Sequence, residues 1–195
     1  MSQQQPSYDI KGIELTDDQY TVEQGLIRSS KYKAMDRNGN VILRAKKKRF
    51  KLKEEFPFVD ADGNDVFQIK AGGIMDVAGD YTLTDAQTGE DIVILDNDYS
   101  LLQDTWKIRD ARTEAKIAEI NSQGAAVTIA RNIVPFGGFI PHKYEITDVD
   151  GNHVGSIDGQ LSLKDRYDIT IDDASTVPKE AVVAAAMVID AIQGN

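Results

Sequence analysis

The stretch 181–193, AVVAAAMVIDAIQ, is apolar at nearly every position and offers no polar face to water. Pro178 suits the first turn of a helix, Ser175 or Thr176 can cap it, and Glu180 favours the positive end of its dipole. Gly194 is a stop signal, so the spacing predicts a helix over about 177–193. A helix of this length spans about 24 Å, and a membrane crossing needs about 20 apolar residues. The segment falls short of that and contains Asp190. A helix apolar on all sides is otherwise a core helix. Two packed layers would leave one side wet, whereas a sheet closed on itself would not.

The rest of the chain supplies such a sheet. Five segments repeat an aromatic residue, an Asp four residues later and, in four of them, a Gly three or four residues after that. They start at Tyr32, Phe56, Tyr81, Trp106 and Tyr144, and turn at Asp36, Asp60, Asp85, Asp110 and Asp148. The Asp residues are 24, 25, 25 and 38 apart, and the fourth copy lacks the Gly. Alternation before the Asp, as in Tyr81-Thr-Leu83, and Val/Ile-rich runs after the Gly mark antiparallel hairpins. Asp hydrogen-bonds the turn backbone, and Gly takes the positive φ that closes it. Ten hairpin strands, with 20–24, 126–130 and 167–171, make twelve or thirteen. Eight strands enclose a lumen that side chains fill, and about twelve leave room for a helix slimmed by Ala181, Ala184, Ala185, Ala186 and Ala191. The predicted fold is all-β: a closed antiparallel barrel of about twelve strands around a buried C-terminal helix. Residues 19–195 form it, and 1–18 are read as a partly ordered N-terminal extension.

The series of hairpins, the basic strand before RFKLKEEFPFVDADGNDVFQIKA, and LSLKDRYDITIDD leading into EAVVAAAMVIDAI resemble the LURP-one-related proteins. These belong to the tubby C-terminal-like superfamily, with the phospholipid scramblases. The resemblance covers about residues 19–193 and implies a twelve-stranded barrel around a hydrophobic helix. It also implies lipid-facing chemistry, since tubby domains bind phosphoinositide head groups through basic residues. Scramblase activity is not carried over: the scramblases' palmitoylated anchor needs cysteine, and this chain has none.

Composition narrows function further. Without cysteine there is no disulfide, no thiol catalysis and no cysteine-held metal. With 32 acidic and 22 basic residues the net charge is −10, which argues against general nucleic-acid affinity. Aspartate outnumbers glutamate 23 to 9, as turn-rich β proteins or a halophilic source would have it. The start, MSQQQPSYDI, lacks a basic and an apolar region, so no secretory signal is predicted and the expected location is cytoplasmic, with peripheral membrane association.

Against this acidity, residues 44–53, RAKKKRFKLK, gather seven cations: Arg44, Lys46, Lys47, Lys48, Arg49, Lys51 and Lys53. Two readings stand: a site for phosphate, above all an anionic lipid head group, or a solvated hairpin exterior whose lysines pair with nearby acids. DADGND (60–65) and DVDGN (148–152) look like calcium loops, but Gly stands fourth, not sixth, so turn chemistry explains them better. The two histidines, His142 and His153, have no third ligand nearby in sequence, and no nucleophile elbow or nucleotide loop occurs. Neither metal nor cofactor is expected. The run VPFGGFIP (134–141) is a rim loop or a protein contact, and Asp190 is read as facing the barrel mouth. A filled lumen leaves the exterior and the rims for function, so a non-enzymatic binding or scaffold module is the leading reading. A protein–protein module and a rim-site enzyme are the alternatives.

Overall fold

A computed structural model describes residues 8–24, 31–46, 55–72, 80–99, 104–123, 143–160, 166–174 and 177–193. They form twelve strands: β1 Gln19–Gln24, β2 Lys31–Met35, β3 Val41–Lys46, β4 Glu55–Val59, β5 Asp65–Ala71 and β6 Asp80–Asp85, then β7 Asp91–Tyr99, β8 Asp104–Asp110, β9 Lys116–Ser122, β10 Lys143–Asp148, β11 His153–Gln160 and β12 Arg166–Ile171. One helix follows, α1, Lys179–Gln193. Each strand pairs antiparallel with its neighbours in sequence, and β12 pairs back onto β1, so the sheet is a closed barrel with no free edge. The predicted strand at 126–130 lies outside the described residues.

Alternation decides which side chains enter the lumen. Leu43 and Ala45, Leu83, Val93 and Leu95, Ile108, Ile157 and Ile169 point inward and are buried. Inside them, Ala181 through Ile189 are nine consecutive helical residues, each at most 2% exposed. No turn of this stretch faces water, which is the condition the sequence imposed. Fully burying each Val, Met or Ile side chain contributes about 1.5–3 kcal/mol, and the alanines let the strands close around the rod.

The aromatic-to-Asp spacing of four is even, so ring and Asp lie on the same side of the strand, and Asp85, Asp110 and Asp148 are buried there. Tyr32, Phe56, Tyr81, Trp106 and Tyr144 form an inner belt, all at most 9% exposed. The Asp residues follow at the barrel end, where the chain turns. Each of these five hairpins shifts register one or two residues before its Asp, at Ala34/Met35, Phe58/Val59, Leu83/Thr84, Ile108/Arg109 and Ile146/Thr147. Such bulges sharpen twist at barrel rims. Gly39, Gly63, Gly89 and Gly151 close four turns with positive φ, and in the fourth copy Glu114 takes that role at φ 58°. Gly155 serves packing instead: a Cβ there would stand 2.3 Å from the Thr170 carbonyl oxygen.

Two substitutions check this account by urea midpoint. Ala185→Leu adds bulk at a fully buried position of the helix and is expected to cost about 1–3 kcal/mol. Glu114→Gly relieves a left-handed non-glycine residue and is expected to stabilise by about 1 kcal/mol.

Candidate functional site: the two ends of the barrel

Strand order sorts the connections into two sets. The five Asp turns, residues 8–18 and the approach to α1 lie at one end, and the connections 25–30, 47–54, 73–79, 100–103, 123–142 and 161–165 join strands at the other. Residues 8–18, 36–40, 60–65, 85–91, 110–116, 148–153 and 172–180 carry 18 carboxylates and 5 basic side chains. The six opposite connections carry 8 basic residues and 3 acidic ones, among many apolar residues. The connections thus differ in charge between the two ends, while Glu55, Asp80 and Asp104, at the starts of β4, β6 and β8, bring carboxylates to the second end as well.

The basic segment spans the β3–β4 connection of that second end. In β3, Leu43 and Ala45 point inward and Arg44 points out to solvent. The Arg44 guanidinium Nη1 donates to the Ala61 carbonyl oxygen at 2.6 Å. That bond crosses a short seam, in which β3 meets β4 at Arg44↔Val59 and Ala45↔Phe58. Arg44 therefore staples the barrel wall. Lys46 ends β3 opposite Lys31. Lys47, Lys48, Arg49, Lys51 and Lys53 lie outside the described residues, as do His142 and the run 134–141.

At the acidic end, hydrogen bonds within the turns occupy the Asp oxygens. Asp60 Oδ1 accepts from the N–H groups of Asp62 and Asn64, both at 2.9 Å, and its Oδ2 accepts from Asn64 Nδ2 at 2.9 Å. Asp36 with Asn40 and Asp148 with Asn152 repeat the pattern. The Asn amide is the largest influence holding all three carboxyls below the usual carboxylate range. Asp85 and Asp110 serve turns one residue longer. Burial pushes their carboxyls up, but the combined N–H donors of Lys11, Thr88 and Gln87 at Asp85, and of Thr113 and Arg112 at Asp110, outweigh it and bring them down. The recurring Asn four residues after Asp is a sequence signal that the Asp–Gly reading passed over.

Residues 8–18 run across this end as a strap. Ile10 and Leu15 are buried in the core. The Lys11 N–H donates to Asp85 Oδ2 at 2.6 Å, the Leu15 N–H donates to Glu180 Oε1 at 2.8 Å, and Lys179 Nζ donates to the Asp17 carbonyl at 2.5 Å. Burial pushes the Glu180 carboxyl up. Beside the strap opens a cavity of about 590 Å³, lined by Tyr8, Leu15, Asp110, Val149, Val177 and Glu180 among others. No local motif marks this strap, because its anchors lie up to 165 residues away.

A sequence profile of the LURP-one-related family matches residues 41–190. The chain belongs to the LURP-one-related family. A protein of Arabidopsis thaliana solved by X-ray crystallography has a similar fold, with a TM-score of 0.56 and 11% identity over 90% of this chain and 91% of that one. No curated protein matches the sequence. Among the described residues of this LURP-one-related barrel, no helix is long and apolar enough to cross a membrane, and no group of three or more His, Asp or Glu could hold a metal ion.

One titratable clamp stands on the outer wall of the LURP-one-related domain. His153, at the start of β11, has Nδ1 3.3 Å from Glu145 Oε1 and Nε2 3.0 Å from Asp172 Oδ2. Both ring nitrogens face carboxylates, which suits the imidazolium. The bond to Asp172 is the main cause that raises His153 above its usual 6.5. The folded state therefore binds this proton more tightly than the unfolded chain does. Its contribution is complete below pH 6.5 and is lost as the pH rises through the raised value. His153→Gln is expected to flatten the loss of stability between pH 6 and pH 8.5, read as urea midpoints across that range.

Proposed function

We propose that this LURP-one-related domain is a non-enzymatic binding module, and that the barrel end opposite the Asp turns meets anionic lipid head groups through the basic run 44–53. The observation that carries the reading is charge polarity. Of the 32 acidic residues, 18 lie with the Asp turns, at the end opposite the strand termini that the β3–β4 connection joins, so much of the net acidity stands apart from the basic run. Charges separated by more than about 8 Å are largely screened at physiological salt. Each Lys or Arg near an anionic bilayer contributes about 1 kcal/mol. The apolar residues interleaved with the cations at this end, such as Phe50 and Leu52, suit contact with the boundary between head groups and acyl chains. On this reading Lys46, Lys47, Lys48, Arg49, Lys51 and Lys53 supply the charge, Arg44 is committed to the Ala61 carbonyl in the Asp60 turn and only holds the seam, and the protein is peripheral at a membrane.

Co-sedimentation with vesicles tests it. Phosphatidylserine-containing vesicles are expected to pull down the protein at low salt, and purely phosphatidylcholine vesicles are not. Changing Lys46, Lys47 and Lys48 together to Gln is expected to lower the bound fraction at least tenfold, and so is raising the salt to 0.5 M. Absence of wild-type binding to the anionic vesicles at low salt would remove the lipid reading.

A further inference from the structure

We propose that Asn97 on β7 and Trp106 on β8 form a buried site inside the barrel for one hydroxyl group, brought by water or by a small alcohol. The two residues face each other directly in the antiparallel register. Both point into the lumen, continuing the inward series Val93, Leu95, Asn97 and Trp106, Ile108, Asp110, and they are 8% and 1% exposed. Among the described residues, neither Asn97 Oδ1 nor Trp106 Nε1 has a hydrogen-bond partner. Buried polar groups are ordinarily satisfied, and each one left bare costs about 1–3 kcal/mol. A donor and an acceptor left bare on adjacent strands point to one guest that serves both.

Chemistry selects the guest. The indole N–H only donates and the carboxamide oxygen only accepts. A carboxylate could serve the indole alone, and an ammonium the amide alone. A hydroxyl accepts from Nε1 and donates to Oδ1. It also fits the site if the amide is turned over, because a hydroxyl oxygen has two lone pairs. The surroundings are apolar: Trp106 lies beside Ile120 in the register and its ring is 5.9 Å from that of Tyr81. The corresponding partner of Tyr81 across β5 is Ala71, which brings no polar side chain, while Tyr32 and Tyr144 face Gln24 and Ser122. The inference is independent of the lipid reading, since it concerns the lumen and not the basic run.

Trp106 is the sole tryptophan, so the folded full-length chain gives one indole N–H resonance that reports on this site alone. Magnetisation transfer from water to that proton is expected. Titration with 1-butanol then separates the two sources: transfer that persists identifies water as the guest, and transfer that moves to the alcohol's protons identifies an alcohol. Either result sustains the proposal. A high-resolution crystal structure is expected to show an oxygen within about 3 Å of both Nε1 and Oδ1. Asn97→Leu is expected to reduce the transfer at least fivefold, and the crystal structure of the wild type provides the reading if that variant fails to fold. A side chain of the protein itself filling the position, or empty density with no transfer from either solvent component, would overturn the proposal.

Discussion

A helix with no side for water sets the terms for the whole molecule. The nine residues from Ala181 to Ile189 are apolar all round, so their burial needs a wall all round. A closed sheet provides that wall and pairs each strand with two neighbours, including the pair β1 and β12 that join the two ends of the meander. The alanines set how closely strands approach, and the belt of Tyr, Phe and Trp side chains fills the wider space around the rod. The helix and the belt occupy most of the interior, which leaves the ends as the accessible surfaces and the lumen as room for a small guest at most.

The two ends solve different problems. Tight turns between strands need a side-chain acceptor for their backbone N–H groups, and Asp supplies it five times. The carboxylates at that end are therefore structural first: their oxygens are engaged by turn amides and by Asn side chains, which also keep them ionised. The strap of residues 8–18 completes this end by placing Ile10 and Leu15 over the helix start. At the other end the connections carry 8 basic residues against 3 acidic ones, most of them in the run 44–53. A cluster of like charge in an otherwise acidic chain is why the basic run stays the centre of the functional reading.

The similarity to the Arabidopsis protein at 11% identity fits the same constraint. A barrel around a helix asks for inward apolar residues at alternate positions, turn residues at fixed points and a slim apolar rod, and many sequences satisfy that. Function is carried by what the constraint leaves open, namely the end loops and the few polar groups admitted to the lumen.

Period-two alternation, the Asp–Gly turns and the faceless helix were legible without coordinates, because each is a local pattern with one physical meaning. Strand number and closure followed, since a helix with no polar side cannot lie on an open sheet. Other features were not legible. Each hairpin carries an extra residue on the strand after its turn, such as Ile42 or Ile92, that no pattern marks, and the left-handed conformation at Glu114 fills a turn whose glycine is missing. Arg44 binds a carbonyl across the seam, Leu15 reaches Glu180 from the far end of the chain, and Asn97 meets Trp106 through strand register. The sequence alone determined that a sheet must enclose the last helix. Only the tertiary structure decided which end receives each charge and which buried groups meet, because those depend on pairings between residues that no local pattern links.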